Sequence, residues 1–128
     1  MTTRGVRGAI TIRVDTEGQV LEATRELMEA ILASNPTLRP EDVASVLFTV
    51  TDDIVSVYPA QAVRQMGWDL VPLMCVREIP VVGSLPLCIR VLIHWNTERL
   101  QNQIKHVYLR NAIKLRPDLV NRWKEAAP

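Results

Sequence analysis

A long apolar run with a charged residue at its centre limits the folds open to this chain. Residues 85–95 are rich in β-branched and large apolar side chains, which is typical of a strand buried in the middle of a sheet. Arg90 lies in the middle of this run. Because a guanidinium stays charged and an unpaired buried charge is very unfavourable, Arg90 must contact an anion. That anion is either a carboxylate of the protein or a group of a bound ligand, and the pattern leaves both open.

Length and charge limit the class of protein. A chain of 128 residues is typical of one domain, and a net charge of +1 argues against nucleic acid or an anionic membrane as the main partner. No apolar run is long enough to span a membrane, and the first residues lack the apolar segment of a signal peptide. We therefore expect a cytoplasmic protein in which Cys75 and Cys88 are free thiols.

The periodicity of apolar residues predicts an α+β fold. A capping box at Thr16 and Gln19 begins one long helix that ends at Ser34, and a short helix begins at Pro59. Pro72 predicts that the strand around it lies at an edge or carries a bulge. The predicted strands are residues 6–15, 44–50, 68–78, the run around Arg90 up to about 97, and 104–109.

One face of such a sheet has no helix to cover it. The single long helix covers one face, whereas the apolar runs 70–76 and 89–95 indicate that both faces are apolar. We therefore expect a mixed sheet of about five strands with one long helix on one face and a second subunit on the other. A homo-oligomer with cyclic symmetry follows.

Several common chemistries lack their sequence signatures. His94 and His106 have no metal-ligand spacing, and we find neither a glycine-rich phosphate loop nor a nucleophile elbow. Asp52 and Asp53 suggest either a metal ligand pair or a solvated turn, and a turn is the better interpretation because no further ligand is near in sequence. We therefore predict no metal and no cofactor.

The remaining candidates are polar residues within apolar strands. Arg7, Glu78, Arg90 and Tyr108 form this set, and Cys75 lies three residues before Glu78. Guanidinium groups bind carboxylates in a bidentate manner, and a glutamate accepts a hydrogen bond from a hydroxyl. These residues suit a small, hydroxylated molecule with two carboxylates.

Several separated motifs resemble one known family, the small trimeric α/β class of chorismate mutase. The resemblance covers about residues 4–119. The motifs are Arg-Gly-Val-Arg-Gly-Ala at 4–9, Pro-Ala-Gln-Ala-Val-Arg at 59–64, Gly-Trp at 67–68, Val-Pro at 71–72, Cys-Ile-Arg-Val at 88–91, His-Val-Tyr-Leu at 106–109 and Leu-Arg-Pro-Asp-Leu at 115–119. The resemblance implies a homotrimer that forms a pseudo-barrel, with a single domain at 1–119. The tail at 120–128 matches nothing in the family, and because it is polar apart from Trp123 we expect it to be loosely held.

The family rearranges chorismate to prephenate, on the route to phenylalanine and tyrosine, without cofactor or metal. By resemblance, Arg90 donates to the ether oxygen of chorismate and helps to hold a carboxylate. Arg7 and Tyr108 bind carboxylates, and Glu78 and Cys75 contact the ring hydroxyl. The resemblance implies that active sites lie between subunits. It also implies that further substrate-binding residues are Tyr58, Ala60, Leu73, Met74 and Leu115 in the pocket, with Arg64 and Arg116 near its mouth.

Two alternatives and one departure remain open at this point. A reactive enamine/imine deaminase with the same trimeric architecture also holds a carboxylate with an interface arginine, but it does not need Glu78, Cys75 and Tyr108. A non-catalytic module would bind the same dicarboxylate without turnover. Gln61 stands where family members often carry a lysine, which alters the charge at the pocket mouth.

Overall fold

A computed structural model of the protein describes residues 1–115, and Arg116 and the tail at 120–128 lie outside the described residues. Its five-stranded sheet has the order β3-β2-β4-β1-β5. The strands are β1 (Thr2–Thr11), β2 (Val43–Val50), β3 (Leu73–Arg77), β4 (Cys88–Thr97) and β5 (Val107–Tyr108), and the α-helices are α1 (Glu17–Ser34) and α2 (Ala60–Gln65). The pairs β1–β4 and β2–β4 are antiparallel, whereas β1–β5 and β2–β3 are parallel. The prediction of a mixed sheet with few helices is confirmed.

The predicted central strand is in the centre of the sheet. β4 pairs with β1 on one side and with β2 on the other. Its apolar side chains Ile89, Ile93 and Trp95 are almost fully buried in the main core, together with Phe48 of β2. This core lies between the sheet and α1, which buries a stripe from Val20 to Ile31. The long antiparallel pairing of β4 therefore fixes the position of Arg90 in the fold.

Helix α1 begins where the capping pattern predicts. Thr16 is the N-cap, and its hydroxyl accepts a hydrogen bond from the amide of Gln19 at 3.1 Å. The side chain of Gln19 does not complete a capping box, because its Oε1 accepts instead from the amides of Arg13 and Val14, both at 3.1 Å. Gln19 thus ties the segment after β1 to the first turn of the helix.

Three strand boundaries differ from the predicted ones. The first strand is shifted toward the N-terminus because it pairs along the whole of β4, from Thr2 opposite Thr97 onward. The predicted strand 68–78 contains only Leu73–Arg77, since pairing with β2 begins at Pro72, whose carbonyl accepts from Val46 N at 2.9 Å. β3 is an edge strand, which confirms the prediction from the proline.

Of the predicted strand 104–109, only Val107 and Tyr108 form β5. Before these two residues, hydrogen bonds with side chains replace the backbone hydrogen bonds of a sheet. The amide of Asn35 binds both the N–H of Lys105, at 3.0 Å, and its carbonyl, at 2.9 Å. The Arg7 amide N–H donates to His106 Nδ1 at 2.9 Å. A 3₁₀ segment, Arg110–Leu115, follows β5.

The face of the sheet opposite α1 is only partly covered. At one end, Tyr108 and Ala112 pack on Ala9 and Cys88 in a small second core. Toward the other side, Leu47 and Leu92 are half-buried, and Met74 is 62% exposed. The sheet therefore has an accessible apolar face, as the sequence predicts. Among the described residues, no helix is long and apolar enough to cross a membrane.

Candidate active site

The strand register places the key polar residues on the face opposite α1. Tyr108 is next to Ala9, Ala9 is opposite Arg90, and Arg90 is opposite Thr49. Paired residues in neighbouring strands share a face, so these side chains form one row across the sheet. Arg7 belongs to the adjacent row, since it pairs with Leu92. We call this surface the arginine face.

Arg90 has a carboxylate partner, but that partner leaves the hydrogen-bonding groups of the guanidinium incompletely paired. Its Nη1 lies 3.7 Å from Oε1 of Glu78, which is longer than a good charged hydrogen bond. The two side chains are 27% and 26% exposed. Nε of Arg90 is buried without a hydrogen-bond acceptor among the described residues, and the same holds for the hydroxyl of Thr49 opposite it. Buried polar atoms are almost always paired, so neither group is satisfied by the described part of the chain.

A concavity of about 390 Å³ lies over these groups. It is large enough for a small organic acid, and its lining contains two guanidinium groups, one carboxylate and one threonine among apolar side chains. The structure thus brings together the three predicted catalytic residues. The lining residues are Arg7, Leu47, Thr49, Glu78, Arg90, Val91 and Leu92.

Sequence reasoning missed Leu47 and Thr49. Both alternate along β2 with residues of the main core, such as Val46 and Phe48, and therefore face the other side. This alternation was available in the sequence, but only the register shows that Thr49 lies opposite Arg90.

Tyr108 and Leu115 lie beside the concavity rather than in its lining. Tyr108 is 5% exposed and belongs to the small second core, against which Leu115 packs. Cys88 belongs to the same core, and burial raises the pKa of its thiol although the charge of the Arg90 guanidinium and a hydrogen bond from that side chain oppose the shift. Cys88 is therefore a neutral thiol beside Arg90 at neutral pH.

Two of the other predicted residues lie at a second concavity, of about 530 Å³, at the β3 edge of the sheet. Tyr58 and Cys75 line it, and Tyr58 is 70% exposed. Burial raises the pKa of the Cys75 thiol, against the opposing effects of a backbone hydrogen bond from Ala60 and the charge of Arg64. The thiol is therefore neutral at neutral pH, which suits a hydrogen-bonding or packing role rather than a nucleophile. Cys75 and Glu78, which were predicted to contact the same hydroxyl, do not line the same concavity of one chain.

Leu73 and Met74 lie on opposite faces of β3. Leu73 is next to Val46 and packs against the main core, whereas Met74 is next to Leu47 on the arginine face. Residue alternation in a strand makes this division unavoidable. Residues 1–115 contain no cluster of three or more histidine, cysteine, aspartate or glutamate side chains arranged to hold a metal ion.

Comparison with known proteins agrees with this geometry. The model of the family "Chorismate mutase type I" matches residues 3–119. The chain belongs to the type I chorismate mutase family. It is 53% identical over 116 residues to chorismate mutase AroH of Thermus thermophilus, covering 91% of this chain and 95% of that protein. It is 47% identical over 120 residues to chorismate mutase AroH of Bacillus subtilis, covering 93% and 94%.

A solved structure confirms the fold assignment. A chorismate mutase from Clostridium thermocellum superposes with a TM-score of 0.82 at 42% identity, covering 84% of this chain and 96% of that one. The protein is thus a chorismate mutase, an isomerase. Family membership favours this prediction over a deaminase or a non-catalytic binding module.

Proposed function

We propose that the arginine face carries out the rearrangement of chorismate to prephenate, and that a second subunit completes the site. The observation that carries the proposal is the buried Nε of Arg90, which lacks an acceptor among residues 1–115. Arg90 lies beside the Glu78 carboxylate and lines a concavity shared with Arg7. An ether oxygen or carboxylate of the substrate supplies the missing acceptor. The reaction is pericyclic, so it needs neither a nucleophile nor a proton transfer from the protein.

Arg90 stabilises the charge that develops during the reaction. As the C–O bond of the substrate breaks, negative charge grows on the ether oxygen, and the guanidinium donates to it. Arg90 is positioned in advance by the central strand, and only about a quarter of its side chain is exposed. A preorganised positive charge in a partly dry site interacts more strongly with the transition state than with the ground state.

The other residues hold the substrate in its reactive conformation. Arg7 and Tyr108 bind its carboxylates, and Glu78 accepts a hydrogen bond from the ring hydroxyl. Their neighbouring rows on one face support a common binding role. Fixing a flexible substrate in a compact conformer removes much of the entropy from the barrier. Together with Arg90, this accounts for acceleration without a cofactor.

The two concavities support a site shared between subunits of a homotrimer. One concavity contains Arg7, Glu78 and Arg90, whereas the other contains Tyr58 and Cys75 near Arg64. If the partly open arginine face packs against the β3 edge of a neighbouring subunit, each concavity supplies half of a closed pocket. The exposed Met74 and the half-buried Leu47 and Leu92 would then be covered.

Mixed trimers test this arrangement. Arg90→Ala damages one half of the pocket and Arg64→Ala damages the other, so each variant alone has low activity. When the two are denatured, mixed in equal amounts and refolded, random assembly gives about a quarter of the sites two intact halves if the halves come from different subunits. Recovery of about a quarter of the wild-type activity supports the shared site, and activity no higher than that of the two parents contradicts it.

The single domain at 1–119 is proposed from the continuity of one sheet and one main core through the described residues. A cytoplasmic location remains a prediction from the sequence.

A further inference from the structure

The turn after β2 contacts both strands that carry the reacting charges. Thr51 follows β2, which lies between β3 and β4 in the sheet. Its carbonyl accepts from Nη1 of Arg77 at 2.8 Å, and its amide donates to the Cys88 carbonyl at 3.2 Å. Arg77 directly precedes Glu78, and Cys88 lies two residues before Arg90. Thr51 thus joins the end of one functional strand to the start of the other.

Side chains of this turn hold the start of β4. The Thr51 hydroxyl accepts from the Cys88 amide at 3.0 Å and donates to Oδ1 of Asp53 at 2.5 Å. The Asp53 carboxylate accepts from the Leu87 amide, with its two oxygens at 3.2 and 3.0 Å. Two consecutive amides, those of Leu87 and Cys88, are therefore bound by two side chains that act as one unit. We call Thr51 and Asp53 the turn clamp.

The clamp holds a backbone conformation that the sequence does not favour. Leu87 has a φ of 50°, which lies in the left-handed region. This region is uncommon for residues other than glycine, asparagine and aspartate, and a large apolar residue persists there only when its surroundings impose it. The carbonyl of Leu87 also accepts from the amide of Ile12 at 2.9 Å, which fixes its orientation toward β1. Asp53 supplies the contact on the amide side.

We propose that Thr51 and Asp53 are positioning residues for the rearrangement. The proposal rests on the proposed roles of Glu78 and Arg90. Residues 79–87 leave the sheet after Glu78 and return at Cys88, so the clamp sets where this loop re-enters the sheet. Neither side chain of the clamp is in the lining of the concavity that contains Arg90. They act through the backbone, by fixing the separation of the Glu78 carboxylate and the Arg90 guanidinium.

The chain offers matched variants for a test. Asp53→Ala and Thr51→Val remove the clamp, whereas Asp53→Asn and Thr51→Ser keep an oxygen that accepts the same amide. Asp52→Ala is the control, because it removes a carboxylate from the same turn that contacts the Arg77 side chain at 3.6 Å and not the amides of Leu87 or Cys88. Chorismate turnover, KM, melting temperature and oligomeric state are measured for each variant, and Arg90→Ala is measured beside them.

We expect the two disruptive variants to lower kcat about 10- to 100-fold with a much smaller change in KM, since a displacement of about 1 Å can cost about 10²-fold. The Asn and Ser variants are expected to stay within about threefold of wild type, because the geometry of the clamp is kept. Combining Asp53→Ala with Thr51→Val should add little to either change alone, since the two residues form one unit. If Asp53→Ala does not fold, the comparison of Thr51→Val with Thr51→Ser tests the proposal.

Three results overturn the inference. In the first, the disruptive variants fold and keep the wild-type kcat while Arg90→Ala is inactive. In the second, the Asn and Ser variants lose as much kcat as Ala and Val. In the third, Asp52→Ala lowers kcat as much as Asp53→Ala does, which would indicate a general effect of removing a negative charge from this turn. Wild-type activity of Arg90→Ala would instead contradict the proposed function itself.

Discussion

Truncation of the central arginine is the perturbation whose effect follows most directly from the structure. Arg90→Ala removes the guanidinium that meets Glu78 at 3.7 Å and leaves the sheet register unchanged. The remaining carboxylate is about a quarter exposed, so water can solvate it after the change. We therefore expect the variant to fold with a melting temperature close to that of the wild type.

The loss of activity has two parts. A guanidinium about 3 Å from an oxygen that gains about half a charge contributes ~3 kcal/mol at an effective dielectric constant of about 20, which suits a partly exposed group. Loss of a charged hydrogen bond to a substrate carboxylate costs a further ~1.5–3 kcal/mol. The sum of ~4.5–6 kcal/mol corresponds to a decrease in kcat/KM of ~10³–10⁴-fold.

The assay follows the disappearance of chorismate by its ultraviolet absorbance in purified, folded protein. Arg39→Ala is a suitable control, because Arg39 is an exposed arginine outside both concavities. Arg90→Lys separates charge from shape, and it should also be poorly active because an ammonium lacks the planar fork. A kcat/KM of Arg90→Ala within tenfold of the wild type would refute the electrostatic role of this residue.

Three further changes test the surrounding scaffold. Gly8→Ala should destabilise the protein by ~1–3 kcal/mol in denaturant unfolding, because the added Cβ would lie 2.9 Å from a methyl group of helix α1 and 3.2 Å from a backbone carbonyl; unchanged stability would show that the helix shifts freely. His106→Leu should weaken chorismate binding, whereas His106→Asn should bind chorismate as the wild type does. Only Asn keeps an acceptor for the Arg7 amide, which donates to His106 Nδ1 at 2.9 Å. Equal KM values for the two variants would contradict this. The pKa of Asp15 is lowered from its ordinary value of 3.8, and the main cause is a hydrogen bond from the Ser56 hydroxyl. The ionised Asp15 therefore stabilises the folded state above pH 3.8, and this stabilisation is lost as the pH falls through the pKa of Asp15 in the folded state. The melting temperatures of wild type and Asp15→Asn should therefore converge in this acid range, and a constant difference would contradict the linkage.

The sequence allowed prediction of the elements whose cause is local. The apolar run around Arg90 indicated a central strand, Thr16 indicated the start of α1, and Pro72 indicated an edge strand, and all three predictions are confirmed. Each depends on residues within a few positions along the chain. The predicted third and fifth strands were too long, because apolar character alone does not show where pairing with a neighbouring strand ends.

The arrangement of the candidate site depends on contacts between distant residues, and these were not visible in sequence. The position of Thr49 opposite Arg90, for example, needs the register between β2 and β4. The separation of Cys75 from Glu78 is an exception, because alternation along an extended segment already places residues three positions apart on opposite faces. Asp53 was interpreted as part of a solvated turn, whereas its carboxylate binds the amide of Leu87, 34 residues away. Resemblance to a family supplied the roles of Arg90 and Glu78, and the structure supplied the distance between them.

We propose that Arg90 and its neighbours rearrange chorismate without a nucleophile, metal or cofactor. The most direct measurement is chorismate consumption by the purified wild-type protein after exhaustive treatment with a chelator, with prephenate identified as the product and Arg90→Ala measured in parallel. We expect full, saturable turnover by the wild type and almost none by the variant. A folded wild-type protein that leaves chorismate unchanged, or that needs an added metal to react, would contradict the claim.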